Sequence, residues 1–253
     1  MTTHFLHDTS VLLRRSLRHV SRSLDTVITT TIMPIAFMLL FVYVFGGAIS
    51  SGTTSYVNYL LPGILLITVA SGVSYTAFRL FLDMKSGIFE RFHSMPISRS
   101  SVLWAHVLTS LVANLVSLTV VVLVAVLLGF RSAAGVTAYF AVAGLLVLFT
   151  LTLTWIAVIP GLTAQSPDGV SAFSYPLVFL PFVSSAFVPT RTMPAAVRAF
   201  AQHQPVTSVV NAMRDLLTRQ PVGSSVWIAA AWLLGVLVVA YAGAILTYRR
   251  RIS

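Results

Sequence analysis

Cysteine is absent from the 253-residue chain, and with it go disulfides, zinc–thiolate and iron–sulfur sites and thiol nucleophiles. Lysine is almost absent: Lys85 is the only one, and it follows Met84 rather than a glycine. A phosphate-cradling loop ending in Gly-Lys-Ser/Thr cannot be built, so the chain has no P-loop of its own for ATP. Acid is scarce too. Asp8, Asp25, Asp83, Glu90, Asp168 and Asp215 all fall at predicted termini, span edges or loops. An ion-driven carrier keeps a carboxylate at membrane depth, where each charge costs about 2.5–3.5 kcal/mol and persists only for function. Sodium sites made of backbone carbonyls stay open. The six histidines, at 4, 7, 19, 93, 106 and 203, have no HExxH or other paired ligand spacing, and no serine sits in GxSxG. No catalytic residue and no metal site is expected.

What the chain does have is apolar side chain. Hydrophobic residues make up 57% and charged residues 9%, with a mean hydropathy of +0.91, so polar surface is too scarce to cover a soluble globule of this size. A hydrocarbon core of about 30 Å takes about 20 apolar helical residues. Six runs meet that length: 26–46, 56–80, 103–130, 136–160, 170–188 and 225–247. The expected fold is an all-α integral membrane protein of six transmembrane helices in one domain, 1–253. The fifth run contains Pro176 and Pro181. It reads equally as an element lining a pathway or as a kinked packing helix.

Charge orients the spans. Net charge is +10, and the basic residues stand in blocks between apolar runs, a pattern that suits topology better than a nucleic-acid groove. In a six-span chain eleven of them share one side, against Arg131, Arg191, Arg198, Arg214 and Arg219 on the other. The positive-inside rule then puts both termini in the cytoplasm. Ahead of the first span, Leu6, Leu13, Leu17, Val20 and Leu24 fall on one helical face and Arg14, Arg15, Arg18 and Arg22 on an opposing arc. Residues 1–25 are therefore expected as an amphipathic helix on the inner leaflet, serving as a lipid anchor, a contact for a protein partner, or both. The first apolar run is span-length and lacks a small-residue cleavage site, so it reads as a retained anchor.

Polarity concentrates in the longest inside loop, KSGIFERFHSMPISR, Lys85 to Arg99. Gly87 permits a turn, IFERF can form a short amphipathic helix, and Pro96 ends it before Arg99. Glu90 and Arg91 would face solvent or a partner while Ile88, Phe89 and Phe92 hold the helix to the bilayer. Such a lever would turn a push into tilt of the two spans it joins; the plainer reading is an ordinary charged connection.

The run RLFLDMKSGIFERFHSMPISRSSVLWAHVLTSLV, Arg79 to Val112, resembles the signature of ABC type-2 transporter permeases, especially the branch similar to daunorubicin/doxorubicin resistance permeases. Asp83, Gly87, Glu90, Arg91, Pro96 and Arg99 carry that likeness. A second stretch, Phe187 to Leu217, resembles the family's segment before the last span through Pro189, Met193, Pro194, Pro205 and Arg214. His93-Ser94-Met95 departs from the threonines and leucines commoner there.

The resemblance implies an ATP-driven exporter. Segment 83–99, with Lys85 and Met95, and the helix bearing Arg14, Arg15 and Arg18 would meet two copies of a P-loop ATP-binding-cassette subunit, which carries ATP and Mg. The permease would pair with a second copy as a homodimer in a bacterial plasma membrane. Residues 191–219 would form a re-entrant helical hairpin, its apolar side (Met193, Val197, Phe200) in outer-leaflet lipid and its arginines at headgroups. The implied cargo is hydrophobic or amphipathic: a drug, an antibiotic or other natural product, or a lipid-like molecule. Tyr59, Tyr75, Phe78, Phe173, Tyr175, Phe179 and Phe182 are candidates for lining its pathway, with packing or interfacial anchoring as the competing role. The rival class is a self-sufficient secondary transporter or channel, which the topology allows and the missing mid-membrane charges oppose. An intramembrane enzyme would need a clustered acid, histidine or metal set, against which the scatter of these residues argues.

Overall fold

The computed structural model describes residues 24–46, 56–86, 99–218 and 223–252, and every regular element among them is helical. Helix α1 (Leu24–Leu39) runs directly into a π-helical segment, Leu40–Phe45. It is followed by α2 (Tyr56–Lys85), α3 (Arg99–Leu127), α4 (Val136–Thr163), α5 (Pro167–Phe179), α6 (Ala195–His203), α7 (Pro205–Leu217) and α8 (Ser224–Ile252). Single 3-10 turns occupy Leu180–Val183 and Thr190–Thr192.

Five of these helices are long and apolar enough to cross a membrane: Ile28–Phe45, Tyr56–Lys85, Ser101–Leu127, Val136–Thr163 and Ser224–Arg250. The remaining expected span, 170–188, departs from one continuous helix. Helix α5 has 13 residues, and a four-residue 3-10 turn follows it. Proline is the reason: Pro176 interrupts the bonding inside α5, and Pro181 has no N–H to extend the helix past Phe179.

Helix α2 is the axis of the bundle. Its sequence is apolar all round, and a helix of that kind belongs in the middle of other helices. Leu60, Ile64, Leu66, Ile67, Val69 and Ala70 are fully or almost fully buried. Helices α1, α3, α4, α5 and α7 pack around it, while α8 lies against α4 and α7. We call the Tyr59 end of α2 the upper end and the Asp83 end the lower end. A larger apolar core, including Leu60, Ile64, Val121, Phe149 and Met213, fills the upper part and continues down α2 to Phe81; a smaller one, of Leu80, Leu103, Val107, Trp155, Leu162 and Tyr248 among others, lies beside it in the lower part.

Two close approaches fix the levels of the other segments. Near the end of α4, a Cβ on Gly161 would fall 2.9 Å from Leu80 Cδ2 and 3.1 Å from the Ala77 carbonyl. Beyond α5, Tyr59 Oη donates to the Ser185 carbonyl at 3.0 Å. Between Gly161 and Ser185 the chain therefore climbs from the level of Leu80 to that of Tyr59, about 32 Å along α2. Gly63 lets this returning segment close up: a Cβ there would lie 2.6 Å from Ala186 Cβ.

The upper turn between α3 and α4 is closed by Gly129 at φ +97°, with Phe130 N–H donating back to the Ala125 carbonyl at 2.9 Å, the six-to-one bond of a glycine helix stop. Outward faces stay apolar. Ile32, Leu123, Phe140, Trp227 and Val239 are all exposed, as a surface meeting lipid requires.

Candidate functional site

The structure gives the two sequence matches very different surroundings. At the lower end, α2 ends with Asp83 and Lys85, and α3 begins at Arg99. Asp83 Oδ2 lies 3.4 Å from His106 Nε2, so the last turn of α2 is tied to the second turn of α3. Ser86 Oγ donates to the Asp83 carbonyl at 2.9 Å, and Lys85 Nζ stands 5.9 Å above the Phe81 ring. The pair thus braces both roots of the predicted coupling segment. Gly87, Glu90, Arg91, Met95 and Pro96, and Arg14, Arg15 and Arg18 of the expected surface helix, lie outside the described residues, as does the side chain of Arg99.

At the upper end, each proline of the second match begins an element. Pro189 precedes a 3-10 turn, Pro194 precedes α6 and Pro205 is the first residue of α7, where a missing N–H leaves no helical bond unmade. Apolar residues recur along α7 so that Val206, Val209, Val210, Met213, Leu216 and Leu217 are buried. Arg214 falls among them. Its Nη2 donates to the carbonyls of Tyr59 and Ser185, both at 3.1 Å, and its Nη1 to Asn211 Oδ1 at 3.4 Å. The guanidinium carbon sits 3.8 Å from the centre of the Tyr59 ring, a cation–π stack. Burial pulls the Arg214 pKa below its ordinary value, and the Tyr59 phenol and the Asp215 carboxylate oppose that shift.

The network extends from there. Ser185 Oγ donates to Asn211 Oδ1 at 2.8 Å, Gln204 Nε2 donates to the Val183 carbonyl at 2.6 Å, and Ser225 Oγ donates to Asp215 Oδ2 at 2.8 Å. Asn58 and the Arg131 backbone exchange two bonds, at 2.8 and 3.1 Å, and Ser132 Oγ donates to the Leu217 carbonyl at 2.8 Å. Segment 184–187, the α3–α4 turn, α7 and the start of α2 are thereby fastened together.

This corrects the expected placement at headgroups for Arg214 alone. Arg214 turns into the bundle, because two carbonyls and an aromatic face are available there. Arg198 turns onto its own segment, donating through Nη2 to the carbonyls of Arg191 and Met193, each at 2.9 Å. On the apolar side, Val197 and Phe200 are exposed.

The seven aromatic pathway candidates do not share one lining. Tyr59 is buried and committed to Ser185 and Arg214. Tyr75 and Phe78 lie about 24 and 29 Å further down the same helix, both half-buried, Phe78 against the larger core. Phe173 is half-buried against that core, whereas Tyr175 and Phe179 are 63% and 62% exposed. Phe182 belongs to an aromatic stack, 4.8 Å from Phe187 and 5.4 Å from Phe37, with Phe41 4.8 Å from Phe187. The stack joins α1 to the returning segment by packing. Sequence reasoning passed over Asn58, Ser185, Gln204 and Asn211. Among the described residues no group of three or more His, Cys, Asp or Glu could hold a metal ion.

Comparison with known proteins adds the following. The family model described as ABC-2 type transporter matches residues 7–218. Over 195 residues, 76% of this chain and 68% of the relative, the sequence is 32% identical to the Daunorubicin resistance ABC transporter permease protein DrrB1 of Streptomyces coeruleorubidus. Over 247 residues, 97% of this chain and 90% of the relative, it is 26% identical to the Probable doxorubicin resistance ABC transporter permease protein DrrC of Mycobacterium tuberculosis.

Proposed function

Because the chain belongs to the ABC-2 type transporter family, we propose that it is the transmembrane permease subunit of an ATP-driven exporter. The observation that carries this is the family match over residues 7–218, with relatives named as drug-resistance permeases. The cargo is a hydrophobic or amphipathic molecule leaving the cytoplasm or the inner leaflet. Its polarity, not a catalytic group, is what the subunit must handle. Energy comes from two copies of a separate ATP-binding-cassette subunit holding ATP and Mg, and a second permease copy completes the assembly as a homodimer.

In this reading the lower end faces the cytoplasm, both termini lie there, and the subunit resides in the plasma membrane. Segment 83–99 and the helix carrying Arg14, Arg15 and Arg18 receive the ATPases. The climb of about 32 Å from Gly161 to Ser185 supports a sixth crossing made of α5 and its 3-10 turn, since that distance matches a hydrocarbon core of about 30 Å. Residues 191–219 then return into the outer leaflet as the hairpin of α6 and α7. The Asp83–His106 tie supports a coupling role for the loop between them, because a displaced loop would carry both spans together.

The test is co-purification of the chain with its P-loop ATPase in mild detergent, comparing wild type with Glu90→Ala/Arg91→Ala. A stable complex that the double substitution weakens, or leaves assembled with ATP hydrolysis uncoupled from transport, is the expected result. A wild-type chain that ignores the ATPase and moves solute alone in liposomes overturns the reading.

A further inference from the structure

The upper end carries cations without anions. Its turns and short helices hold Arg131, Arg191, Arg198, Arg214 and Arg219 against a single acid, Asp215, and Asp215 Oδ2 accepts from Ser225 Oγ at 2.8 Å. The guanidiniums that are bonded take neutral acceptors. Arg131 Nη1 donates to the carbonyls of Phe130 and Val126 at 2.9 and 3.3 Å, Arg198 donates to those of Arg191 and Met193, and Arg214 to those of Tyr59 and Ser185 and to Asn211 Oδ1. Segments 47–55 and 219–222, which join these elements outside the described residues, contain no acid. A neutral acceptor satisfies an N–H but leaves the charge, and a charge drawn partly out of water is costly until an opposite one stands beside it.

The deficit is sharpest around Tyr59. A guanidinium carries five N–H donors. In Arg214, Nη2 makes two bonds and Nη1 one long one at 3.4 Å, while Nε is buried with no partner. Asn211, one turn earlier on α7, spends its Oδ1 on Ser185 and Arg214. Its Nδ2 has no acceptor among the described residues and is not sealed off. Because Nη1 lies against Asn211 Oδ1, its second hydrogen and the Asn211 amide hydrogens stand side by side. Arg191 is exposed, its guanidinium has no acceptor among the described residues, and its charge reaches the Tyr59 phenol together with that of Arg214. Arg214 and Asn211 are themselves only half-buried.

We propose that Arg214, Asn211 and Arg191 form a binding site for an oxyanion of the phosphate type. The group seats on the free donors of Arg214 Nη1 and Asn211 Nδ2, and Arg191 closes over it as the second cation. Several donors with a fixed fork among them suit an anion with several oxygens, and each bond is strengthened by charge. Free phosphate and the phosphodiester of an anionic lipid headgroup share this chemistry. The site goes beyond the exporter reading and does not depend on it, since it concerns what the chain binds and not what it moves.

The test follows unfolding of the full chain by tryptophan fluorescence in a neutral, phospholipid-free detergent at fixed ionic strength. Replacing chloride by inorganic phosphate between about 0.1 and 10 mM should raise the unfolding midpoint by roughly 2–4 °C and then saturate. A second arm adds phosphatidylglycerol to the micelles, against phosphatidylcholine at the same level. A saturating rise with phosphate assigns the site to a free anion, a rise with phosphatidylglycerol alone assigns it to a headgroup, and a rise with both marks a site open to either. Arg191→Gln, which removes no bond seen among the described residues, should cut the shift by at least half. Arg249→Gln, at an exposed position on the opposite end of the bundle, should leave it unchanged. Equal losses in the two variants, a shift that grows linearly as general salting does, or no shift in either arm overturns the site. The wild-type titration decides by its saturation even where a variant fails to fold.

Discussion

The upper and lower ends of the bundle are held by different physics. At the upper end, segments far apart in sequence are joined by directional bonds: Arg214 to Tyr59 and Ser185, Asn58 to Arg131, Ser132 to Leu217, Gln204 to Val183. At the lower end, apolar packing around Trp155 and Leu162 accompanies the contact of Asp83 with His106. Hydrogen bonds at 3 Å are made or broken, whereas apolar surfaces attract without direction and tolerate small slides. The upper end is therefore a plate fixed by directional bonds.

Substitutions at the two ends can break or sharpen the contrast, and the four tryptophans provide a fluorescence readout of thermal unfolding in detergent. The largest effect is expected from Arg214→Ala, which strips donors from two carbonyls and removes the ring stack, a loss of about 3–5 kcal/mol. Arg214→Lys should recover less than half, because an ammonium lacks the planar face that stacks on Tyr59 and the second nitrogen that reaches Asn211. Next comes Gly63→Val: the close approach to Ala186 makes it an overpacking change of about 1–3 kcal/mol. Asn58→Ala removes two exposed bonds and should cost about 1 kcal/mol. Asp83→Asn should change stability least, by under about 1 kcal/mol for a partly exposed pair, yet alter the ratio of transport to ATP hydrolysis in the assembled complex. If Asp83→Asn lowered the melting temperature more than Arg214→Ala, the fixed-plate description of the upper end would be wrong.

Much of the helical skeleton was legible, because a buried or lipid-facing helix must be apolar for its whole length. Five runs of that kind in the sequence correspond to five helices of crossing length. The fifth run of the sequence was legible only as a problem: its prolines were visible, but whether the chain after Pro181 turned or continued depended on Gly63 and Tyr59, more than a hundred residues away. The surroundings of Arg214 had a local signal that was passed over. Val210 and Leu217, four residues before it and three after, lie on its own helical face and are buried. An arginine flanked in that way is a buried arginine, and a buried arginine needs acceptors. The same reading applies to Ser110, Asn114 and Ser117, a polar stripe at i, i+4 and i+7 inside an apolar helix. The expected coupling segment differed in kind: it was picked out by the resemblance, and most of its residues lie outside the described ones.

The direction of protein synthesis bears on Arg214. Its acceptors, Tyr59, Ser185 and Asn211, all precede it in the chain. A ribosome therefore makes α2 and the 184–187 turn before α7, so every residue that accepts from the guanidinium is synthesised ahead of it. The last helix then locks the pair in place through Ser225 and Asp215. A circular permutant that made α7 first would expose an unpaired cation during insertion, the situation membranes penalise most, so the order of the helices is itself part of what lets this arginine be inside.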